Sequence, residues 1–254
     1  MNKLKALAIL VAGSVLILAS CGSPAQAPTT VPTPTPQYAG VLKIKWLGHA
    51  TFMITSSSGV KIITDPYATS SRIAYGEIEE SADIVTVSHD HGDHNNIAAV
   101  GGNPEVVRGI TEVKGIKFKG IPTYHDDAGG SKRGNNIIFC FEVDGIKVCH
   151  LGDLGHPLSD GQVAELGNVD ILLIPVGGNY TIDATVASQN CDLLKPSVII
   201  PMHYKTDKCS LPIAGVDEFL QGKKNVTLAD TSEVELKLGE LPVKTQIMVL
   251  KPAR

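Results

Sequence analysis

The eight histidines limit what this chain can fold into more than any other feature. They stand at positions 49, 89, 91, 94, 125, 150, 156 and 203, each in a short segment near the end of an apolar or β-branched run, and none falls within a helical pattern. The densest group is Ser88-His-Asp-His-Gly-Asp-His94, an HxHxDH array. At the frayed end of a strand alternate residues share a side, so His89 and His91 converge on one cation. The chain then turns at Gly92 and aims Asp93 and His94 at a second cation beside the first. Imidazole and carboxylate without thiolate suit Zn(II) best, with Mn(II) or Fe(II) as alternatives. The bland reading of the array, a solvated polar loop, does not explain the other histidine segments.

The runs between these segments read as alternating strands and helices. Residues 41–46, 51–55 and 60–64 are β-branched or alternating and open the domain as a meander. Residues 84–88 form a short apolar strand ending at the histidine array. Asp144-Gly145 between the runs 136–143 and 146–151 is the strongest hairpin signal in the chain. Ser159 with Gln162 marks a capping box opening a helix through Leu166, and 183–194 is a second helix. Apolar runs 171–176 and 197–201 are buried strands whose ends carry Gly177-Gly178 and Met202-His203, where α/β architectures place chemistry.

The first forty residues stand apart from this pattern. Lys3 and Lys5 precede an apolar run from Ala6 to Leu18, too short for a comfortable membrane span, and Leu18-Ala-Ser-Cys21 follows. Residues 1–20 are therefore expected to be an export signal. The step at its end resembles the lipobox of bacterial lipoproteins, which implies that Cys21 is lipidated and the chain anchored on the outer face of a membrane. Residues 21–40 hold Pro24, Pro28, Pro32, Pro34 and Pro36 among small polar residues and read as an extended tether reaching on the order of 50 Å. Residues 41–254 form one domain. With 43% hydrophobic residues the whole chain has material for a core, and its formal charge of -4 gives no basic surplus for nucleic acid.

From Val41 to about residue 207 the motifs resemble the metallo-β-lactamase superfamily. Trp46-Leu-Gly-His-Ala-Thr-Phe52, Ile63-Thr-Asp-Pro66, the HxHxDH array, His150-Leu-Gly-Asp153 and Pro201-Met-His-Tyr204 follow the order of the branch that includes ascorbate-6-phosphate lactonase-like proteins. The resemblance implies an α/β fold, a four-layer αββα sandwich of two facing sheets with helices outside. It also implies two divalent ions, with His89, His91 and His125 on the first, Asp93, His94 and His203 on the second, and Asp153 bridging both. His125 is the loosest match, and Asp126 or Asp127 beside it could substitute as ligand or orienter. Electron-transferring di-iron relatives carry Glu where this chain has His91, which favours hydrolysis over redox chemistry.

Physical chemistry supports that expectation. Two divalent ions sharing a water lower its pKa from 15.7 toward roughly 7, so no Ser or Cys nucleophile is needed. Asp93 and Asp153 are the expected catalytic carboxylates, Asp153 as the group that orients the water and shuttles its proton. His49 is a ligand-orienting partner, a substrate contact or simply a turn histidine; His150 and His156 are expected to orient ligands rather than bind metal. Lys132 and Arg133 are candidate contacts for an anionic substrate, against the alternative of an exposed basic turn. The amides of 177–181 could face an anion. The roles of Tyr204 and Lys205 stay open.

The two-residue Asp144-Gly145 turn sets a register in which Cys140 lies across from Cys149 and Glu142 from Lys147. Counting outward makes 140 with 149 a non-hydrogen-bonded pair, the closer kind. A disulfide or two buried thiols are the alternatives, the thiols being favoured. Cys191 and Cys209 have no assigned partner. The favoured function is a lipid-anchored, extracytoplasmic, metal-dependent hydrolase of a small-molecule ester or lactone, with phosphodiester cleavage second. A non-catalytic surface protein binding metal or ligand through the same pocket is the alternative class.

Overall fold

The computed structural model describes residues 40–254; the expected leader, Cys21 and nearly all of the tether lie outside the described residues. In chain order the elements are β1 (Leu42–Gly48), β2 (Thr51–Thr55), β3 (Lys61–Thr64), β4 (Ser81–Thr86), β5 (Gly101–Val107), β6 (Thr111–Val113), β7 (Ile116–Tyr124), β8 (Asn135–Val143), β9 (Ile146–His150), α1 (Asp160–Leu166), β10 (Ile171–Pro175), α2 (Ala184–Leu194), β11 (Val198–Met202), α3 (Val216–Leu220), β12 (Val226–Leu228), β13 (Glu233–Leu236) and β14 (Gln246–Val249). One sheet runs β13-β1-β2-β3-β4-β5 and the other β12-β14-β11-β10-β9-β8-β7-β6. Among the described residues no helix is long and apolar enough to cross a membrane.

Period-two alternation assigns the layers. Ile62 of β3 and Ile84 of β4 join the core shared with Phe118, Phe141 and Val148 of the second sheet, so the two sheets face each other. Their neighbours Ile63 and Val85 point the opposite way, into a second cluster with Tyr67, Ile73 and Tyr75. The outer face of the first sheet is thus covered by the 66–80 segment rather than by a long helix. β10 and β11 are buried at every position, as strands covered on both faces must be. The sandwich is present, with its α-helices following the strands of the second sheet.

Local chemistry sets the helix starts and the hairpin. Ser159 Oγ accepts from the Gln162 backbone N–H at 3.3 Å while Gln162 Oε1 accepts from the Ser159 N–H at 3.0 Å, the expected capping box on α1. Asp183 caps α2 through the Val186 N–H. Asp144 and Gly145 both take positive φ, 54° and 77°, as a two-residue hairpin turn requires. The register pairs Glu142 with Lys147 and Cys140 with Cys149.

That pairing corrects the favoured expectation for the cysteines. Cys140 and Cys149 form a disulfide, with Cα atoms 4.2 Å apart, and only Cys191 and Cys209 are free and buried among the described residues. The physical reason is the non-hydrogen-bonded register, which brings opposed Cβ atoms close enough to bridge.

Strand direction carries the histidines to one edge. β9, β10 and β11 are parallel, and β7 runs the same way because β8 is antiparallel to both β7 and β9. β3 and β4 are parallel, and β1 shares their direction through antiparallel β2. His49, Asp65, the 89–94 array, His125, Asp153 and His203 each follow the C-terminal end of one of these strands. The two sheets meet there: His203 N–H donates to the His49 carbonyl at 3.1 Å.

Candidate metal centre

One carboxylate oxygen stands at the focus of this edge. Asp153 Oδ2 lies 3.1 Å from His94 Nε2, 3.2 Å from His125 Nε2, 3.3 Å from His203 Nε2 and 4.0 Å from His89 Nε2. Around it the donors form three overlapping groups, each with ligand atoms within 4.8 Å of one another; Asp65, His89 and His94 make one, and the other two hold the expected ligands. His89, His91 and His125 make one of these two sets; His49, Asp93, His94 and His203 make the other. The residues expected on the two ions are therefore brought together in their expected groups, with Asp153 in contact with both. His49 adds a member to the second set, its Nε2 lying 3.3 Å from Asp93 Oδ2.

Unpartnered buried atoms test whether these residues fit a cation. Among the described residues, eight buried side-chain polar atoms lack a hydrogen-bond partner, and five belong to this cluster: Nδ1 of His49, His125 and His203, Nε2 of His94 and Oδ1 of Asp153. Each would cost about 1–3 kcal/mol if left unsatisfied, so their concentration here marks a site built for something besides the chain. The donor set is imidazole and carboxylate, with no thiolate in either group, and it fits a divalent ion of the Zn, Mn or Fe kind.

Asp65, in the Ile63-Thr-Asp-Pro66 motif, orients the array. Its Oδ1 accepts from the Ser88 backbone N–H at 2.8 Å, and its Oδ2 accepts both the Ser88 hydroxyl and His94 Nδ1–H at 3.0 Å. With its own proton given to Asp65, Ser88 Oγ accepts from His89 Nδ1 at 2.9 Å. Both rings thereby carry their proton on Nδ1 and turn Nε2 toward the centre. Asn136 does comparable work on the backbone: its Oδ1 accepts from Asp153 N–H at 2.9 Å while its Nδ2 donates to Thr123 Oγ1 and the Leu151 carbonyl.

Three cluster residues sit in the left-handed backbone region, His49 at φ 51°, Asp65 at 39° and His203 at 50°. A non-glycine residue there costs on the order of 1–2 kcal/mol, and such positions gather where geometry serves function. Gly152, at φ 55°, has a second reason to be glycine: a Cβ would overlap Asn136 Oδ1 and the Ser88 side chain.

Electrostatics divide the histidines. Burial pushes the Asp153 carboxyl up, but the charges of His203 and His94 outweigh it and hold the group well below the usual carboxylate range. Burial likewise opposes a charged His94, yet Asp153 beside it raises that ring well above the ordinary imidazole value. Burial, with His94 nearby, lowers His89 to about 3, and burial with His203 lowers His49 to about 4. His49 and His89 are thus poised as neutral imidazole, the form that binds metal.

Other expected residues serve different ends. His150 Nε2 donates to the Ala50 carbonyl at 2.8 Å and its Nδ1 accepts from Gly152 N–H, so both nitrogens hold backbone. His156 is also spent on backbone, at Tyr124 N–H and the Pro157 carbonyl. Neither ring hydrogen-bonds to a side chain of the two sets; each instead holds backbone next to a cluster residue, His150 beside His49 and Asp153, His156 beside His125. Asp126 accepts four backbone N–H groups, from Ala128, Gly130, Lys132 and Arg133, and Asp127 pairs with Lys132, so His125 is the donor this segment offers. In the 177–181 loop the Gly178 N–H donates to the Ile182 carbonyl, and those of Tyr180 and Thr181 to the Gly178 carbonyl, rather than to an anion. Tyr204 is buried against Trp46, with ring centroids 5.3 Å apart, and Lys205 is exposed.

Known proteins resemble this chain in sequence and fold. The family model for the β-lactamase superfamily domain matches residues 43–203. A UPF0173 metal-dependent hydrolase of Thermococcus onnurineus is 31% identical over 240 residues, covering 84% of this chain and 97% of the relative. One from Pyrococcus furiosus is 30% identical over 242 residues, with the same coverage. A solved structure from Thermotoga maritima, described as a Zn-dependent hydrolase of the metallo-β-lactamase superfamily, is 41% identical, with a TM-score of 0.68 over 82% of this chain and 98% of that one. Igni18 from Ignicoccus hospitalis, at 22% identity, shares the fold with a TM-score of 0.57 over 84% of this chain and 97% of its own. A matched domain spanning the strand-end cluster and relatives covered almost end to end place this chain in the metallo-β-lactamase superfamily, among the UPF0173 metal-dependent hydrolases.

Proposed function

We propose that this hydrolase cleaves an ester, lactone or related bond of a small molecule with a water activated at a paired-cation centre. His89, His91 and His125 would hold one divalent ion and Asp93, His94 and His203 the other, with Asp153 within reach of both groups. The observation that carries this reading is Asp153 Oδ2 set 3.1–4.0 Å from four imidazole nitrogens drawn from both sets. When bound, the ions lower the pKa of a water toward about 7 and polarise the oxygen of the scissile bond. Asp153 orients that water and holds its proton, using the Oδ1 atom that no protein group occupies. His49 steadies Asp93 through its 3.3 Å contact, and Asp65 keeps the rings of His89 and His94 in the ligating tautomer. Zn(II) suits the donors best, with Mn(II) or Fe(II) as alternatives.

The order of motifs from Trp46 to Tyr204 supports a lactonase-like reaction in particular. Export and lipid anchoring at Cys21 are part of the same proposal. Their support is the charged and apolar leader, the Leu18-Ala-Ser-Cys21 step and the proline-rich tether. The Cys140–Cys149 bridge fits an oxidising compartment.

Metal analysis of the purified protein, followed by a panel of lactone, ester, thioester, phosphodiester and β-lactam substrates, tests the reading. The expected result is bound divalent metal and turnover of an ester or lactone that chelation abolishes and metal restores. Preferential phosphodiester turnover would replace the substrate class. Metal binding with no turnover on the whole panel would point to a surface protein that binds without catalysis.

A further inference from the structure

The loop that joins β7 to β8 holds a cation with no carboxylate partner among the described residues. His125 N–H donates to the Gly134 carbonyl at 3.0 Å and closes the loop at its base, while Asp126 pins its interior amides. Lys132 spends its charge on Asp127 at 2.7 Å. Arg133 has no such partner among the described residues. Its Nη2 donates to the Asn179 carbonyl at 3.0 Å, and its guanidinium lies over the Tyr180 ring, 5.5 Å from the centroid. A guanidinium has five N–H donors in a rigid fork, so most of this one is uncommitted.

Arg133 lines two cavities. One, of about 410 Å³, is also walled by His89, His91 and Arg108, but Arg108 is already paired with Asp90 at 2.7 Å and bonded to Asn95. The other, of about 560 Å³, is also walled by Gly155, His156 and Tyr180. Its acidic groups are engaged: Asp126 on the loop amides, Asp127 on Lys132, and Asp183 as the cap of α2. The one cation of these walls with neither a carboxylate partner nor a full set of bonds therefore stands beside two histidines of the metal centre.

We propose that Arg133 is the specificity-determining anchor for an oxyanion, a carboxylate or phosphate carried by the substrate away from the scissile bond. This rests on the hydrolase reading above and adds a substrate class to it. The planar fork suits bidentate capture of such a group, and the contacts with Tyr180 and Asn179 hold it in place beforehand, so little side-chain freedom is lost on binding. The neighbouring cations are less available, Lys132 being paired with Asp127 and Arg108 with Asp90.

The test compares p-nitrophenyl esters of equal acyl length that end in a neutral, a carboxylate or a phosphate group, on the metal-loaded full chain. Wild type should prefer an anionic end, and its sign of preference between carboxylate and phosphate identifies the oxyanion. Arg133→Ala should lower kcat/KM for that ester about 10- to 100-fold, mainly through KM, and leave the neutral ester within about twofold, while Arg133→Lys restores part of the loss. An equal loss on all three esters, or none, overturns the proposal. If no ester is turned over, the hydrolase reading fails on these substrates, and the anchor is judged by calorimetric titration with glutarate or inorganic phosphate. Binding at least about tenfold weaker in Arg133→Ala supports it; equal binding in both proteins, or none in wild type, rejects it.

Discussion

Asp65 Oδ2 lies 3.0 Å from His94 Nδ1, with both side chains fully buried, and this contact decides which nitrogen of His94 faces the metal centre. Replacing Asp65 by Asn removes the charge that holds the Nδ1 proton and disturbs the bond to Ser88 that orients His89. Metal affinity should fall about 10- to 100-fold in Asp65→Asn. Competition with a chromophoric chelator measures it, and an affinity equal to wild type would show that Asp65 is a packing residue only.

Metal binding should release protons. In the metal-free protein His94 is raised well above the ordinary imidazole value, chiefly by Asp153, and a ligating imidazole must be neutral. Affinity should therefore rise with pH across the neutral range, and calorimetry in buffers of different ionisation enthalpy should report proton release. The stability of the metal-free form runs the other way. Because the folded pKa of His94 lies above its value of 6.5 in the unfolded chain, its contribution is complete below pH 6.5 and is lost as pH rises through the raised value. Asp153, depressed below 3.8, contributes above that pH and loses its share as pH falls through its folded value. A metal-free protein whose midpoint is flat from pH 6 to 9 would contradict this pairing.

The Cys140–Cys149 bridge closes a hairpin already tied by its own ladder. The double variant Cys140→Ala, Cys149→Ala should lose about 1–3 kcal/mol in chemical denaturation, less than a bridge across a long loop would give. Intact mass with and without reductant checks the bond itself; an unchanged mass means free thiols.

Expression of the full chain in a bacterial host tests the anchor. The protein should partition into the detergent phase, and Cys21→Ala should move it to the aqueous phase without changing the folded domain. Aqueous partitioning of the unaltered chain would remove the lipid from the account.

Much of this was readable before any coordinates. β-branched runs ending close to a histidine located β1, β4, β9 and β11, because buried strands must be apolar and their polar ends must be functional or solvated. The Asp144-Gly145 turn fixed a register that holds residue by residue. What escaped has physical causes. β5 is an edge strand, mostly exposed and carrying Gly101, Gly102 and Pro104, so it lacks the apolar signal. β12 to β14 are three or four residues long, and α3 is five. Asp65 and Asn136 act through single hydrogen bonds made across the fold, at sequence separations of 29 to His94 and 17 to Asp153, which no local pattern encodes. The Cys140–Cys149 bond escapes the sequence because the register places the two side chains opposite each other, and burial suits them, whether oxidised or reduced.

Metal stoichiometry in Asp153→Ala tests the central claim most directly. Inductively coupled plasma analysis of reconstituted wild type should find two divalent ions per chain. The variant, with its fold verified by circular dichroism, should lose at least one of them together with hydrolysis. Two ions retained in Asp153→Ala, or a single ion in wild type, would contradict a centre bridged by this carboxylate.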